Sequence, residues 1–189
     1  MNVYDFDKTI YRNDSSVDLF CYLCKRHPRM MLDLPRMAFA AAAYLCHFIS
    51  KTKMKEIFYA SFRHVSDIEK EVEAFWQEHA DNIFSWYPLQ QREDDLIISA
   101  SPEFSIRVAC RKLGIQHYLA SRVDAVSGKT QGLNCYGEEK VKRFKQAYPH
   151  EKIEKFYSDS YSDAPLAFLA KEAFLVRQGK VEKWPEGKR

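Results

Sequence analysis

Apolar residues recur in two different patterns along the chain, and the pattern changes near residue 87. From residue 17 to residue 86 they recur at helical spacing. No glycine occurs before Gly114, which favours helices over hairpins in this stretch. The pattern therefore predicts four or five helices between residues 15 and 86. One face of the first helix is formed by Leu19, Phe20, Leu23 and Cys24.

Short apolar runs alternate with helical patterns in the rest of the chain. After an early strand near residues 3–6, strands are predicted at 96–98, 117–120, 156–158 and 173–177. Helices are predicted at 102–113 and 138–148, a hairpin at 122–130 and a loose charged tail at 178–189. Alternating strands and helices are typical of a parallel sheet covered by helices on both faces. We therefore predict an α/β fold, a Rossmann-like parallel sheet with an inserted helical subdomain.

Polar side chains cluster directly after three of the predicted strands. In such sheets, ligands bind beyond the carboxyl ends of the strands. Two carboxylates one residue apart, as at the first strand, repel each other unless a cation or a proton lies between them. The pair fits a nucleophile and an acid/base beside a divalent metal, or a solvated edge strand. The clusters are Asp5, Asp7 and Thr9; Ser99 and Ser101; and Asp159 and Asp163.

Four ordered segments carry a family resemblance. They are DFDKT at 5–9, IISASPE at 97–103, GEEK at 137–140 and SDSYSD at 158–163. Together they resemble the motifs of the haloacid dehalogenase superfamily of phosphohydrolases, in particular its phosphoserine-phosphatase-like branch with a helical cap. The resemblance implies a core formed by residues 1–14 and 87–189 and a helical cap formed by residues 15–86.

The resemblance also implies roles for the acids. Asp5 would attack phosphorus and lend an oxygen to Mg²⁺, and Asp159 would complete the metal site. Asp7 would protonate the leaving alcohol, later deprotonate the attacking water, and bind the metal through its backbone carbonyl. The chemistry independently requires positive charge, because a phosphate dianion repels an anionic nucleophile, and Mg²⁺ held by oxygen ligands supplies that charge.

Serine and lysine would bind the phosphoryl oxygens. Ser99 and the backbone N–H groups beside it, including that of Ala100, are expected to do so together with the start of the following helix. Ser101 is the rival, although it also suits the N-cap of that helix. Lys140 would neutralise the nucleophile and the phosphoryl group, with Lys142 as the competitor.

Further residues are candidates for supporting the site or binding substrate. Thr9 would hold the first loop together, and Asp163 would orient a metal-bound water or Lys140, or cap the next helix. Asp14 occupies the position where phosphoserine phosphatases carry a glutamate that reads the substrate amine. Arg63, with its neighbour His64, could reach a substrate carboxylate or could be an ordinary surface residue.

Composition narrows the possible partners and the location. The 189 residues carry a net charge of +3 with both signs interspersed, which argues against nucleic-acid and membrane partners. Five cysteines and a chain that begins directly with a strand indicate a cytoplasmic protein. The apolar stretch at 37–49 is too short to span a bilayer, so we predict a buried helix, with membrane contact as the alternative.

The combined prediction is a cytoplasmic Mg²⁺-dependent phosphomonoesterase that acts on a small phosphorylated metabolite. One alternative is a phosphotransferase on the same fold, which would pass the phosphoryl group to an alcohol. The other is a non-catalytic module that binds Mg²⁺ or phosphate and contacts a protein or membrane through its cap.

Overall fold

The computed structural model describes residues 1–185 and residue 187, and its centre is a six-stranded sheet. The strands are β1 (Val3–Tyr4), β2 (Leu96–Pro102), β3 (His117–Ser121), β4 (Lys155–Ser158), β5 (Glu172–Arg177) and β6 (Lys180–Lys183). Their order is β3-β2-β1-β4-β5-β6. β1 to β5 are parallel, as predicted, and β6 runs antiparallel to β5. The prediction of a loose tail from residue 178 is therefore wrong for β6, while residues 186, 188 and 189 lie outside the described chain.

The stretch between β1 and β2 is helical. It contains α1 (Ser15–Arg26), α2 (Leu34–Leu45), α3 (Lys51–Tyr59) and α4 (Ile68–Glu78), together with short 3-10 segments. The remaining helices are α5 (Glu103–Lys112), α6 (Glu138–Ala147) and α7 (Ala164–Ala167). The predicted hairpin at 122–130 is reduced to a single antiparallel bridge between Val123 and Thr130.

Helix capping differs from the prediction. The N-cap of α1 is Asp14, whose carboxylate accepts from the backbone N–H groups of Ser16 and Val17. The N-cap position of α5 is occupied by Pro102, with no hydrogen bond from a side chain, so Ser101 does not cap it. Carboxylates make stronger acceptors than hydroxyls, and they also interact favourably with a helix N-terminus.

Apolar residues cover both faces of the sheet, because successive strand residues point to opposite sides. Tyr4 and Ile97 face a cluster that includes Trp76, whereas Val3 and Leu96 face a second cluster. The first cluster runs from β1 through α1 and α4 to α5, and the indole N–H of Trp76 donates to Ser105 at 3.1 Å. Because this cluster crosses the expected boundary at residues 86–87, the division into core and cap stays a prediction.

The helical insert and the sheet domain touch closely at Gly128. A Cβ added to this glycine would lie 2.3 Å from the backbone nitrogen of Ala60, at the end of α3. Its φ of +71° also favours glycine. Nearby, the backbone N–H of Thr130 donates to the Glu56 carboxylate at 3.1 Å. Only a residue without a side chain fits this contact.

The apolar stretch at 37–49 forms most of α2, and it is not buried as predicted. Phe39 is 77% exposed, Leu45 75% and Phe48 83%. Tertiary placement decides this outcome, because α2 lies at the outside of the helical insert and buries Met37 and Ala40 but leaves its other side open. Within the described residues, no helix combines the length and apolarity that crossing a bilayer requires.

Candidate active site

Lys140 is the buried cation of the site. It lies in the first turn of α6 and is 2% exposed. Its Nζ donates to Oδ1 of Asp5 and to Oδ2 of Asp163, both at 2.7 Å. The competitor, Lys142, is exposed on the same helix. Residues distant in sequence thus meet around one ammonium group, and of the two lysines only Lys140 lies among the acids.

Asp5 directly follows β1 at the centre of the sheet. Its backbone N–H donates to the carbonyl of Tyr157 at 2.9 Å, which continues the pairing with β4. Burial raises the pKa of Asp5 to about 7; the Lys140 charge opposes this rise and Asp163 adds to it. Burial acts to lower the pKa of Lys140, but Asp163 and Asp5 together raise it above its ordinary value. We infer a charged lysine shared by two carboxylates that it cannot fully neutralise.

Asp7 is held by two donors. Its Oδ1 accepts from the backbone N–H of Ser15 at 2.7 Å, and its Oδ2 accepts from the Ser101 hydroxyl at 2.5 Å. Burial raises the pKa of Asp7, the charge of Asp14 adds to the rise, and the two serines oppose it. A raised pKa suits a carboxyl group that must give and take a proton. Sequence reasoning set Ser101 aside as a helix cap, and only its spacing from Ser99 hinted at this contact.

The carboxyl-terminal part of β2, residues 99–101, carries the expected phosphoryl-binding groups; the strand extends beyond the predicted end at residue 98. The hydroxyl oxygen of Ser99 accepts from the backbone N–H of Ser101 at 3.0 Å. The pairing between β2 and β3 shifts between Ile98 and Pro102, as at a β-bulge. The carbonyl of Ala100 accepts from the Lys55 ammonium at 2.9 Å. These bonds hold residues 99–101 from within β2 and from α3.

Lys55 was missed by sequence reasoning. It lies on α3, and only the folded contact with the Ala100 carbonyl distinguishes it from its neighbours Lys51 and Lys53. Burial lowers its pKa, while the charges of Asp7 and Asp14 oppose the decrease. Helix α3 therefore adds a second ammonium group beside residues 99–101 of β2.

Thr9 and Asp159 join the loops after β1 and β4. The Thr9 hydroxyl oxygen accepts from the backbone N–H of Asp159 at 2.9 Å. Burial raises the pKa of Asp159, and Asp163 adds to this rise, while Lys8 and Lys140 oppose it. Asp163 occupies the N-cap position of α7 without a side-chain bond to that helix, and it accepts from Ser158 at 2.8 Å as well as from Lys140. Its side chain orients Lys140 and does not cap α7.

The donor set fits a hard divalent cation. Within the described residues, no three His, Cys, Asp or Glu side chains form a group that could hold a metal. The expected set needs only the carboxylates of Asp5 and Asp159 with the carbonyl of Asp7, since Mg²⁺ usually keeps waters and substrate phosphate among its ligands. The two carboxylates of Asp5 and Asp163 share the single positive charge of Lys140, so negative charge remains for a cation to neutralise.

Asp14 and Arg63, two of the predicted substrate-binding residues, have other contacts. Asp14 caps α1 through Oδ1, although its charge still acts on Asp7. Arg63 donates to Oδ1 of Asp33 at 2.6 Å, and His64 lies 3.1 Å from Oδ2 of the same acid. The structure thus places Asp14 beside the site, whereas the contacts of Arg63 and His64 lie within the cap.

An open groove gives access to the site from one side. Its lining includes Lys8, Arg12, Asp14, Asp159 and Arg177. With Asp18, the lining contains three cations and three acids, so the groove is polar and carries no net charge.

The fold and the site define the class of protein. Parallel strands in the order 3-2-1-4-5, with acids after β1 and β4 at the point where the strand order reverses, are those of a Rossmann-type α/β fold. The model of the haloacid dehalogenase-like hydrolase family matches residues 3–167. The chain belongs to this family, as its motifs predicted.

Individual relatives agree with this assignment. A protein of unknown function from Bordetella pertussis Tohama I has a similar structure, with a TM-score of 0.74 at 19% identity over 92% of this chain and 87% of that chain. The structure of phosphoserine phosphatase in its apo form is also similar, with a TM-score of 0.56 at 13% identity over 90% of this chain and 82% of that chain. These two structures show a shared fold. The "Probable phosphatase Rv3661" of Mycobacterium tuberculosis (strain ATCC 25618 / H37Rv) is 31% identical over 107 residues, which cover 49% of this chain but only 37% of that relative.

Proposed function

We propose that the protein is a Mg²⁺-dependent phosphatase that hydrolyses a small phosphorylated metabolite through a phosphoryl group carried on Asp5. The observation that supports this most is the buried Lys140, which donates to Asp5 and Asp163 at 2.7 Å. A buried ammonium group between two carboxylates beside a polar loop can stabilise a phosphoryl group and a carboxylate nucleophile at once. The names of the phosphatase relatives agree with it.

Each residue would have a defined task. The carboxylate of Asp5 attacks phosphorus, so a bond forms between them and the bond to the leaving alcohol oxygen breaks. Asp7 gives its proton to that oxygen and then takes one from the water that releases phosphate. Lys140 orients Asp5, and residues 99–101 at the carboxyl end of β2 bind phosphoryl oxygens. When bound by Asp5, Asp159 and the Asp7 carbonyl, Mg²⁺ would supply charge neutralisation.

Asp7 favours phosphatase chemistry over removal of a halide. A halide leaves without needing a proton, whereas an alcohol leaving group needs one. The raised pKa and the two donors around Asp7 fit a group that delivers this proton.

The first test is turnover of p-nitrophenyl phosphate by the purified protein. We expect phosphate release with Mg²⁺, loss of release with EDTA, and recovery when Mg²⁺ is restored, because the acids alone would repel the substrate. A glycerol acceptor that yields glycerol phosphate in place of free phosphate would assign the transferase alternative. Absence of turnover on this compound and on a broad panel of small phosphates would contradict the proposal.

Lys55 should affect substrate binding more than the chemical step. Lys55→Met removes an ammonium group that lies 2.9 Å from the Ala100 carbonyl. We expect KM to rise about tenfold to a hundredfold while kcat changes less, as for the loss of one charged hydrogen bond to a bound anion. Steady-state kinetics on the same phosphate ester measures both constants.

Lys53→Met is the matched control for this change. Lys53 lies two residues earlier on α3, and its side chain is 63% exposed and paired with Glu56. We expect its KM to match that of the wild type. Equal effects of the two substitutions would show that α3 acts through its general charge, and would remove Lys55 from the substrate site.

Substrate identity and location complete the proposal. Asp14 and Arg63 predict a substrate that is a small phosphate ester with an amine or a carboxylate. Both side chains already have partners in the structure, so this substrate class stays a prediction. All five cysteines are free thiols, which agrees with the proposed cytoplasmic location.

A further inference from the structure

The outer side of α2 is apolar along its whole length. Its exposed positions recur at intervals of three or four residues, so they form one face of the helix. Helices that face water normally carry polar residues on this side. The opposite side of α2 buries Met37 and Ala40. The exposed positions are Leu34, Pro35, Ala38, Phe39, Ala42 and Leu45, with Arg36 at their edge.

Neighbouring segments enlarge this face. The 3-10 segment before α2 exposes Met31 and Leu32, the latter by 76%, and the turn after α2 exposes Phe48 by 83%. Large contiguous apolar patches on soluble domains mark interaction sites. We call the set formed by Met31, Leu32, Leu34, Phe39, Leu45 and Phe48 the apolar cap face.

Cations and no acids occur in the segment that carries the apolar cap face. No aspartate or glutamate occurs from residue 34 to residue 55, and Arg36 is exposed at the edge of the face. Of the lysines that follow, Lys51 lies over the Tyr136 ring and Lys53 pairs with Glu56. Asp33, which precedes it, is 7% exposed and already paired with Arg63. An apolar surface bordered by cations complements a surface of acyl chains bordered by anionic head groups.

We propose that the apolar cap face lies on the anionic surface of a lipid bilayer, with α2 in the plane of the interface. A helix of 12 residues is about 18 Å long, which is too short to cross the hydrocarbon core, so it would insert only its exposed side. The charges around the face favour a bilayer with acidic lipids over a neutral one. This docking surface lies outside the carboxylate site, and the inference does not depend on the proposed phosphatase activity.

Co-sedimentation with vesicles tests the inference on the full chain. The probes are vesicles of phosphatidylcholine with and without phosphatidylglycerol. We expect the protein to sediment with the phosphatidylglycerol vesicles and to be released progressively by NaCl, because salt screens the attraction of exposed cations. Failure to sediment with either vesicle would overturn the inference, as would binding that ignores both phosphatidylglycerol and salt.

A matched pair of triple variants tests the face itself. Phe39→Ser/Leu45→Ser/Phe48→Ser should weaken partitioning at least about tenfold, since each side chain loses its apolar contact. Leu89→Ser/Val126→Ser/Phe168→Ser changes equally exposed apolar residues outside the cap and should partition like the wild type. Circular dichroism and thermal unfolding establish that both variants fold. An equal loss in the two variants would overturn the inference.

Self-association provides a competing explanation for an apolar surface. Without vesicles, sedimentation equilibrium should show the same state of association for the wild type and for the cap-face triple variant, Phe39→Ser/Leu45→Ser/Phe48→Ser. If the wild type dimerises and only that variant is monomeric, the face belongs to a second copy of the chain, and the membrane inference is overturned. None of these measurements needs turnover, so an inactive protein would still test the docking surface.

Discussion

Asp5→Asn is expected to reduce kcat by at least about 10³-fold, because the amide cannot attack phosphorus as the carboxylate does. The substitution keeps the size of the side chain and leaves Lys140 paired with Asp163. It also removes a buried carboxylate whose pKa is raised by burial and, to a lesser extent, by the charge of Asp163. The folded protein should therefore be at least as stable as the wild type. Steady-state kinetics with p-nitrophenyl phosphate and a thermal unfolding curve measure the two quantities.

Asp94→Asn serves as the control for this change. This substitution makes the same chemical change at the surface, where the Asp94 side chain is 46% exposed and contacts Arg92. We expect full activity from this variant. Comparable kcat values for Asp5→Asn and the wild type would exclude Asp5 as the nucleophile and leave its contact with Lys140 as a structural ion pair.

Lys140→Met should be the most destabilising of these substitutions. It leaves Asp5 and Asp163 buried without their shared cation, and such a loss costs about 3–5 kcal/mol in the free energy of unfolding. We also expect kcat to fall at least about a hundredfold, because the phosphoryl group and the nucleophile would lose their buried positive charge. Urea unfolding at neutral pH, with EDTA present to remove adventitious metal, measures the stability difference.

The stability difference should depend on pH. Burial already raises the pKa of Asp5 to about 7, and removal of the Lys140 charge raises that pKa further. A raised pKa means that the folded state binds more protons than the unfolded state, so stability declines as pH rises. The gap between Lys140→Met and the wild type should therefore widen between pH 5 and pH 8. Lys142→Met changes an exposed lysine on the same helix and should unfold like the wild type at every pH.

A Lys140→Met protein as stable as Lys142→Met at pH 8 would contradict the charge balance inferred for the site. A gap that narrows toward high pH would reverse the inferred direction of the Asp5 pKa shift. Activity measurements alone cannot separate the loss of a positioning lysine from the loss of the fold, because both lower kcat.

The sheet could be predicted because local sequence determines its main features. The apolar run before Ser99 is long enough only for a buried strand, and Gly114, with φ of +71°, ends α5 where expected. Acids placed directly after β1 and β4 lie at one edge of the sheet, because these strands are neighbours and parallel. Asp5 and Asp159 could therefore be assigned to this edge from the sequence alone.

The contacts between the helical insert and the ends of the strands could not be predicted from local sequence. On a lysine-rich helix the sequence does not indicate which lysine faces the site, so Lys55 could not be distinguished from Lys53. Ser101 reads equally well as a helix cap and as a donor to Asp7, and the contact depends on how the bulge in β2 turns it. The exposure of α2 likewise follows from where the insert folds, since its composition resembles that of a buried helix.

Gly128 has a consequence for the position of Lys55. A methyl group there would overlap the backbone of Ala60, so an alanine would push the end of α3 away from the segment that contains Gly128. Lys55 lies one turn before the end of α3 and donates to the Ala100 carbonyl. The distance over which this ammonium group must reach β2 therefore depends on a residue whose side chain is a single hydrogen.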